Sequence, residues 1–114
     1  MKKFKHKFVE IIPGNIEPDV LYISTEYKTV IHMCPCGCGN EVVTPLSPTD
    51  WGLMFDGESI SLYPSIGNWG LACQSHYWVT NSEVEFAPKW TKKQIERGRK
   101  RDALNKKLFY KKKY

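Results

Sequence analysis

Trp51-Gly52-Leu53-Met54-Phe55-Asp56-Gly57-Glu58-Ser59-Ile60-Ser61-Leu62-Tyr63 carries the clearest strand-turn-strand signal in the chain. Two runs, 51–55 and 58–63, flank Asp56-Gly57, and Asp-Gly in a two-residue loop is the usual signature of a type I′ hairpin. Working outward, Val20 to Tyr27, Thr29 to Met33 and Glu41 to Leu46 are short runs of β-branched and aromatic residues that suit a pleated surface. Phe4 to Ile12 reads as a further strand, ended by the turn dipeptide Pro13-Gly14. On the other side, 64–70 holds too many turn residues for regular structure. His76 to Thr80 and Glu83 to Ala87 then form a second hairpin about Asn81-Ser82. Roughly six to eight short strands predict an all-β domain over residues 1–88, a small sandwich or barrel of short antiparallel strands.

Helix is expected only in the remainder, 89–114. Thr91 with Gln94 makes a capping box, and Trp90 with Ile95 stands at the positions of a hydrophobic staple. Glu96 with Lys100 and Asp102 with Lys106 add i,i+4 pairs. Few apolar positions follow Ile95, so the helix should be mostly exposed and Phe109 to Tyr114 should fray.

Charge divides the chain along the same line. The whole carries a net +5, yet residues 9–88 hold ten acidic groups against Lys28 alone, whereas 89–114 hold twelve Lys/Arg against Glu96 and Asp102. An acidic body thus bears a basic tail. Lys92, Lys93, Arg97, Arg99, Lys100 and Arg101 are the candidate nucleic-acid contacts on this tail, through phosphate neutralisation. The plainer reading of such a run is a solvated face, or one that folds back on the body.

The chemistry lies in two clusters, Cys34-Pro35-Cys36-Gly37-Cys38-Gly39 and Cys73-Gln74-Ser75-His76. Thiolate and imidazole are the ligands that tetrahedral Zn²⁺ prefers, and a structural site normally joins two turns from distant parts of the chain. Cys34, Cys36, Cys38, Cys73 and His76 are therefore the candidate ligands, five for four places, with Cys34 and Cys38 competing for the last. Gly37 and Gly39 permit the tight curl that cysteines two apart require. His32 reads as a strand side chain. A body of about ninety residues is thinly stabilised, and metal binding would add directly to its folding free energy.

Other readings of the same residues fit less well. A Rieske-like [2Fe–2S] cluster fits a Cys/His pair of turns on an all-β body, but here cysteine stands where that layout has histidine. A zinc deaminase needs His-x-Glu and Pro-Cys-x-x-Cys, and both are missing. A Cys73/His76 nucleophile–base pair conflicts with a metal knuckle at the same turn. Cysteine-rich zinc sites are usually closed, so no catalytic residue is assigned, and a binding or adaptor module is favoured over an enzyme. Pro64 to Trp69 reads as a recognition loop or, more simply, as a plug in which Ile66 and Trp69 close the core. Disulfides are disfavoured: three cysteines at alternate positions pair poorly with one distant Cys73, and no apolar signal region follows the basic start. With no apolar run long enough for a membrane span, a reducing cytoplasm is the expected setting.

The cysteine cluster, the following Val42-Val43-Thr44-Pro45-Leu46-Ser47-Pro48-Thr49-Asp50-Trp51, then Ser61-Leu62-Tyr63-Pro64-Ser65-Ile66-Gly67-Asn68-Trp69 and Cys73-Gln74-Ser75-His76-Tyr77-Trp78 together resemble a family of small bacterial and phage proteins, a domain of unknown function. The resemblance spans roughly 20–87. It implies a compact metal-binding domain, with some members encoded beside bacterial ubiquitin-like conjugation genes, and hence a protein partner. The basic tail lies outside it.

Overall fold

A computed structural model describes residues 2–112 of the chain. Nine strands and one helix follow in order: β1 Lys2–Lys3, β2 Lys5–Phe8, β3 Val20–Ser24, β4 Thr29–Met33, β5 Glu41–Pro45, β6 Gly52–Phe55, β7 Ile60–Gly67, β8 His76–Thr80, β9 Glu83–Phe86 and α1 Lys92–Lys112. They make a five-stranded sheet of order β1-β9-β8-β7-β6 and a four-stranded sheet of order β2-β3-β4-β5. The all-β expectation holds.

Alternation places the core. Val30 and Val42 point inward from β4 and β5, whereas Leu62, Ile66, Tyr77, Val79 and Val84 come from the other sheet, with Leu21, Ile23 and Ile60 completing a single apolar cluster. Each fully buried aliphatic side chain contributes about 2 kcal/mol. β3 is buried along its whole length, because β2 and β4 cover its edges and the core lies on its face.

Three local expectations change. The strand foreseen from Phe4 to Ile12 is split: Phe4 is buried in the core, so the chain passes from one sheet to the other there, β1 pairing with β9 and β2 running parallel to β3. The Asp56-Gly57 hairpin forms, but Phe55 pairs with Ile60 and leaves a four-residue loop. The Asp56 carboxylate accepts the N–H groups of Glu58 and Ser59 at 2.9 and 2.7 Å, so a side chain organises the turn in place of a type I′ backbone. The tight two-residue turn occurs instead at Asn81-Ser82, both at positive φ. Finally, the supposed loop after Tyr63 is strand as far as Gly67, with a register shift between Leu62 and Ile66. A bulge lets turn-forming residues sit in a strand, and it re-aims the side chains it displaces.

The capping box at α1 is formed as expected, Thr91 N–H donating to Gln94 Oε1 (2.7 Å) and Gln94 N–H to Thr91 Oγ1 (3.2 Å). The helix continues to Lys112, past the fraying expected from Phe109; positions 113 and 114 lie outside the described residues. It packs back against the chain that precedes it. Gly98 lies so close to the Trp90 ring that an added Cβ would fall 2.8 Å from it, and Lys106 pairs with Asp50 at 2.9 Å. Burial works against the Asp50 charge, but the Lys106 ammonium and the Ser47 hydroxyl outweigh it and hold the carboxyl below its usual range. Among the described residues no helix is long and apolar enough to cross a membrane.

Candidate functional site

β4 delivers the chain into the first cysteine cluster. Cys34 N–H donates to Asn40 C=O (2.8 Å) and Gly37 N–H to Cys34 C=O (3.1 Å), while Gly37 and Gly39 take φ of 88° and 83°, so five residues fold into one knuckle. Cys73 approaches from the turn before β8. The four Sγ atoms of Cys34, Cys36, Cys38 and Cys73 all lie within 4.8 Å of one another, with Cys34 3.3 Å from Cys36 and 3.9 Å from Cys73. Bonds of about 2.3 Å from a tetrahedral zinc would set sulfurs about 3.8 Å apart. The donor set fits one such ion.

The four thiols differ in their electrostatics. Burial pushes the Cys34 thiol up, whereas the backbone N–H and side-chain amide of Asn40 bring Cys38 down to about 6. Four sulfurs this close cannot all be thiolates without a cation between them. All four are free of disulfides. The group includes both Cys34 and Cys38.

The fifth candidate, His76, stands outside this group. Its Nε2 lies 2.9 Å from Ser65 Oγ and its Nδ1 3.1 Å from the Pro88 carbonyl. A carbonyl can only accept, so Nδ1 donates to it; in a neutral imidazole Nε2 is then the acceptor available to the Ser65 hydroxyl. The strands explain the meeting. Gly67 is paired with His76 and Ile66 with Tyr77, and the bulge in β7 offsets Ser65 so that its hydroxyl reaches the ring. Trp51 Nε1 donates to the Ser65 carbonyl at 3.4 Å, holding the serine's main chain. Trp69, Trp90 and Trp78 surround the imidazole at centroid distances of 5.1, 5.4 and 5.8 Å.

Ser75, the residue before His76 in the chain, reaches the cysteine cluster. Its Oγ lies 3.2 Å from Cys34 Sγ and 3.5 Å from Cys73 Sγ and accepts from Asn68 Nδ2 at 2.9 Å, while Asn68 N–H donates to Ser75 C=O at 2.8 Å. Asn68 Nδ2 also reaches the Tyr77 hydroxyl, which contacts His32 Nε2 at 2.7 Å. His32 is the buried strand residue expected of it, and burial lowers its pKa to about 4.

Ser65 and His76 open into a cleft of about 760 Å³, bounded by β5 at Glu41 to Val43, by Trp51, Trp69 and Trp90, and by the helix at Gly98, Arg99, Arg101 and Lys106. Of the six basic candidates, Arg99 and Arg101 face this cleft; Lys92, Lys93, Arg97 and Lys100 are exposed along the helix. Ile66 is buried as the plug reading expects, whereas Trp69 stacks on Trp90 at the cleft wall. Ser65 was not singled out from sequence. Its one signal was the Pro64 to Trp69 segment, whose turn residues also suited a loop.

Residues 8–87 match a family model described as BubE, bacterial ubiquitination-like system serine protease. No curated protein and no solved structure matches the chain.

Proposed function

The chain belongs to the BubE family of bacterial ubiquitination-like systems, and from that premise we propose that it is a serine peptidase whose nucleophile is Ser65 and whose general base is His76. The observation that carries this reading is the 2.9 Å contact between Ser65 Oγ and His76 Nε2, the ring nitrogen opposite the one that faces the Pro88 carbonyl. Ser65 Oγ attacks a peptide or isopeptide carbonyl while Nε2 takes its proton, and the imidazolium returns that proton to the leaving amine. Water then hydrolyses the acyl-serine ester with His76 again as base. The Pro88 carbonyl occupies the place that an aspartate holds in the familiar triad, fixing the tautomer and the ring's orientation. The substrate class suggested by the family description is a ubiquitin-like protein or its conjugate.

Zn²⁺ is the metal we assign to Cys34, Cys36, Cys38 and Cys73. Four thiolates complete its shell, so it acts as a structural ion that stabilises the body and the turn before His76. The Rieske-like alternative loses support because His76 is engaged by Ser65. A reducing cytoplasm suits four metal-binding thiols. We keep 1–88 as the metal-binding body and 89–114 as the appended basic helix; nucleic-acid contact by that helix has no supporting observation beyond its charge.

The test is hydrolysis of a ubiquitin-like protein from such a system carrying a C-terminal peptide extension. Ser65→Ala should lower the rate by on the order of 10⁴-fold or more while leaving zinc content and thermal midpoint unchanged. Cleavage at the wild-type rate by this variant would contradict the assignment.

A further inference from the structure

One wall of the Ser65–His76 cleft takes no part in the chemistry just described. β5 ends its sheet, with β4 on one side only, and its residues Glu41 to Val43 line the cleft. Which of its main-chain groups are free follows from the register. At its two ends, Leu46 N–H donates to Lys28 C=O (2.7 Å) and Cys34 N–H to Asn40 C=O (2.8 Å). Bonded and unbonded positions alternate along an antiparallel ladder. Counting inward from either end, Val42 and Thr44 bond to β4 whereas Glu41, Val43 and Pro45 turn their main-chain groups outward. Proline at 45 agrees with this, since an outward position needs no N–H for the ladder. The Pro45 carbonyl accepts Trp51 N–H at 3.1 Å. Glu41 and Val43 thus present two N–H and two C=O groups along the cleft, about 7 Å apart at the rise of an extended strand.

We propose that this open edge receives the substrate as an added strand: an extended polypeptide segment pairs with Glu41 and Val43 and so carries its scissile bond along the cleft to Ser65. The proposal rests on the peptidase reading, because the cleft's occupant is then the substrate. Its chemistry follows from the edge. Donors and acceptors repeating every second residue match a main chain in β conformation, whereas a small ester or an anion would use only one of them. Trp51, Trp69 and Trp90 then offer apolar surface to the segment's side chains, and the helix closes the opposite wall.

The test is binding of the same extended ubiquitin-like protein to the Ser65→Ala protein, with and without Val43→Pro. Proline at 43 removes one outward N–H and, like Pro45, leaves the bonds to β4 intact. Affinity should fall about tenfold, the equivalent of one hydrogen bond, with zinc content and thermal midpoint unchanged; Val43→Ala, which keeps the N–H, should change it less than threefold. Equal affinity with and without Val43→Pro, or an equal loss in Val43→Ala, would overturn the proposal. Should Val43→Pro fail to fold, N-methylation along the peptide extension replaces it. Losses at every second residue are expected, and losses without that alternation would contradict strand addition. Cleavage surviving in Ser65→Ala would instead sink the peptidase reading, so the two failures are distinct.

Discussion

Cys73, in the turn before β8, and His76, the first residue of that strand, stand three residues apart, yet they serve regions built on opposite principles. The sulfur knuckle is made by local backbone: five residues curled by two positive-φ glycines, with Cys36 and Cys38 exposed and little packing around them. The Ser65–His76 pair is made by long-range packing, with β7 and β8 in fixed register, three tryptophans around the ring and a carbonyl behind it. On the proposed reading the four thiolates need a cation between them, whereas the pair meets the knuckle only through the chain that runs from Cys73 by Ser75 to His76. On that reading the metal region would supply cohesion and the cleft chemistry, so damage should pass from the first to the second but not back.

The strongest attempt to break that asymmetry is Cys34→Ser. Binding at a structural zinc site contributes about 10–16 kcal/mol to folding, comparable with or above the whole stability of a small domain. The variant should lose the ion, cooperative unfolding and hydrolysis together, read by elemental analysis, calorimetry and the cleavage assay. A variant that stays folded and metal-free would show that packing alone suffices.

A smaller effect probes the link itself. Ser75→Ala removes the hydroxyl shared by Cys34, Cys73 and Asn68, and outer-shell partners of this kind are worth about 10–100-fold in metal affinity. Chelator competition should show that loss, and kcat should fall by about tenfold with KM nearly unchanged. If metal affinity falls and kcat does not, the two regions are uncoupled. Smallest of all is Lys106→Ala, which removes the helix's partly exposed pair with Asp50. Such a pair is worth at most about 1 kcal/mol, so the thermal midpoint should move only slightly and zinc content not at all.

The same contrast explains what could be read from the chain. Cysteine spacing is local, so the knuckle was legible, as were the hairpins about Asp56-Gly57 and Asn81-Ser82 and the capping box at Thr91. Ser65 was not. Its partner lies eleven residues away through a bulged strand pair, and no periodicity encodes that bulge, because Pro64, Gly67 and Asn68 favour a loop as strongly. Cys-x-x-His is a common knuckle, so spacing alone makes His76 a ligand, and only the register of Gly67 on His76 brings its ring beside Ser65. The division at Phe4 was also hidden, since one buried aromatic in a basic strand does not announce a change of sheet.

The most direct test of the central claim is reaction with a fluorophosphonate, which forms a covalent bond with a serine only when a base activates it. Peptide mass spectrometry of the zinc-loaded protein should place the adduct on Ser65, and His76→Ala should abolish labelling while retaining zinc. An adduct on any other residue, or a protein that hydrolyses its substrate while Ser65 stays unlabelled, would contradict the account.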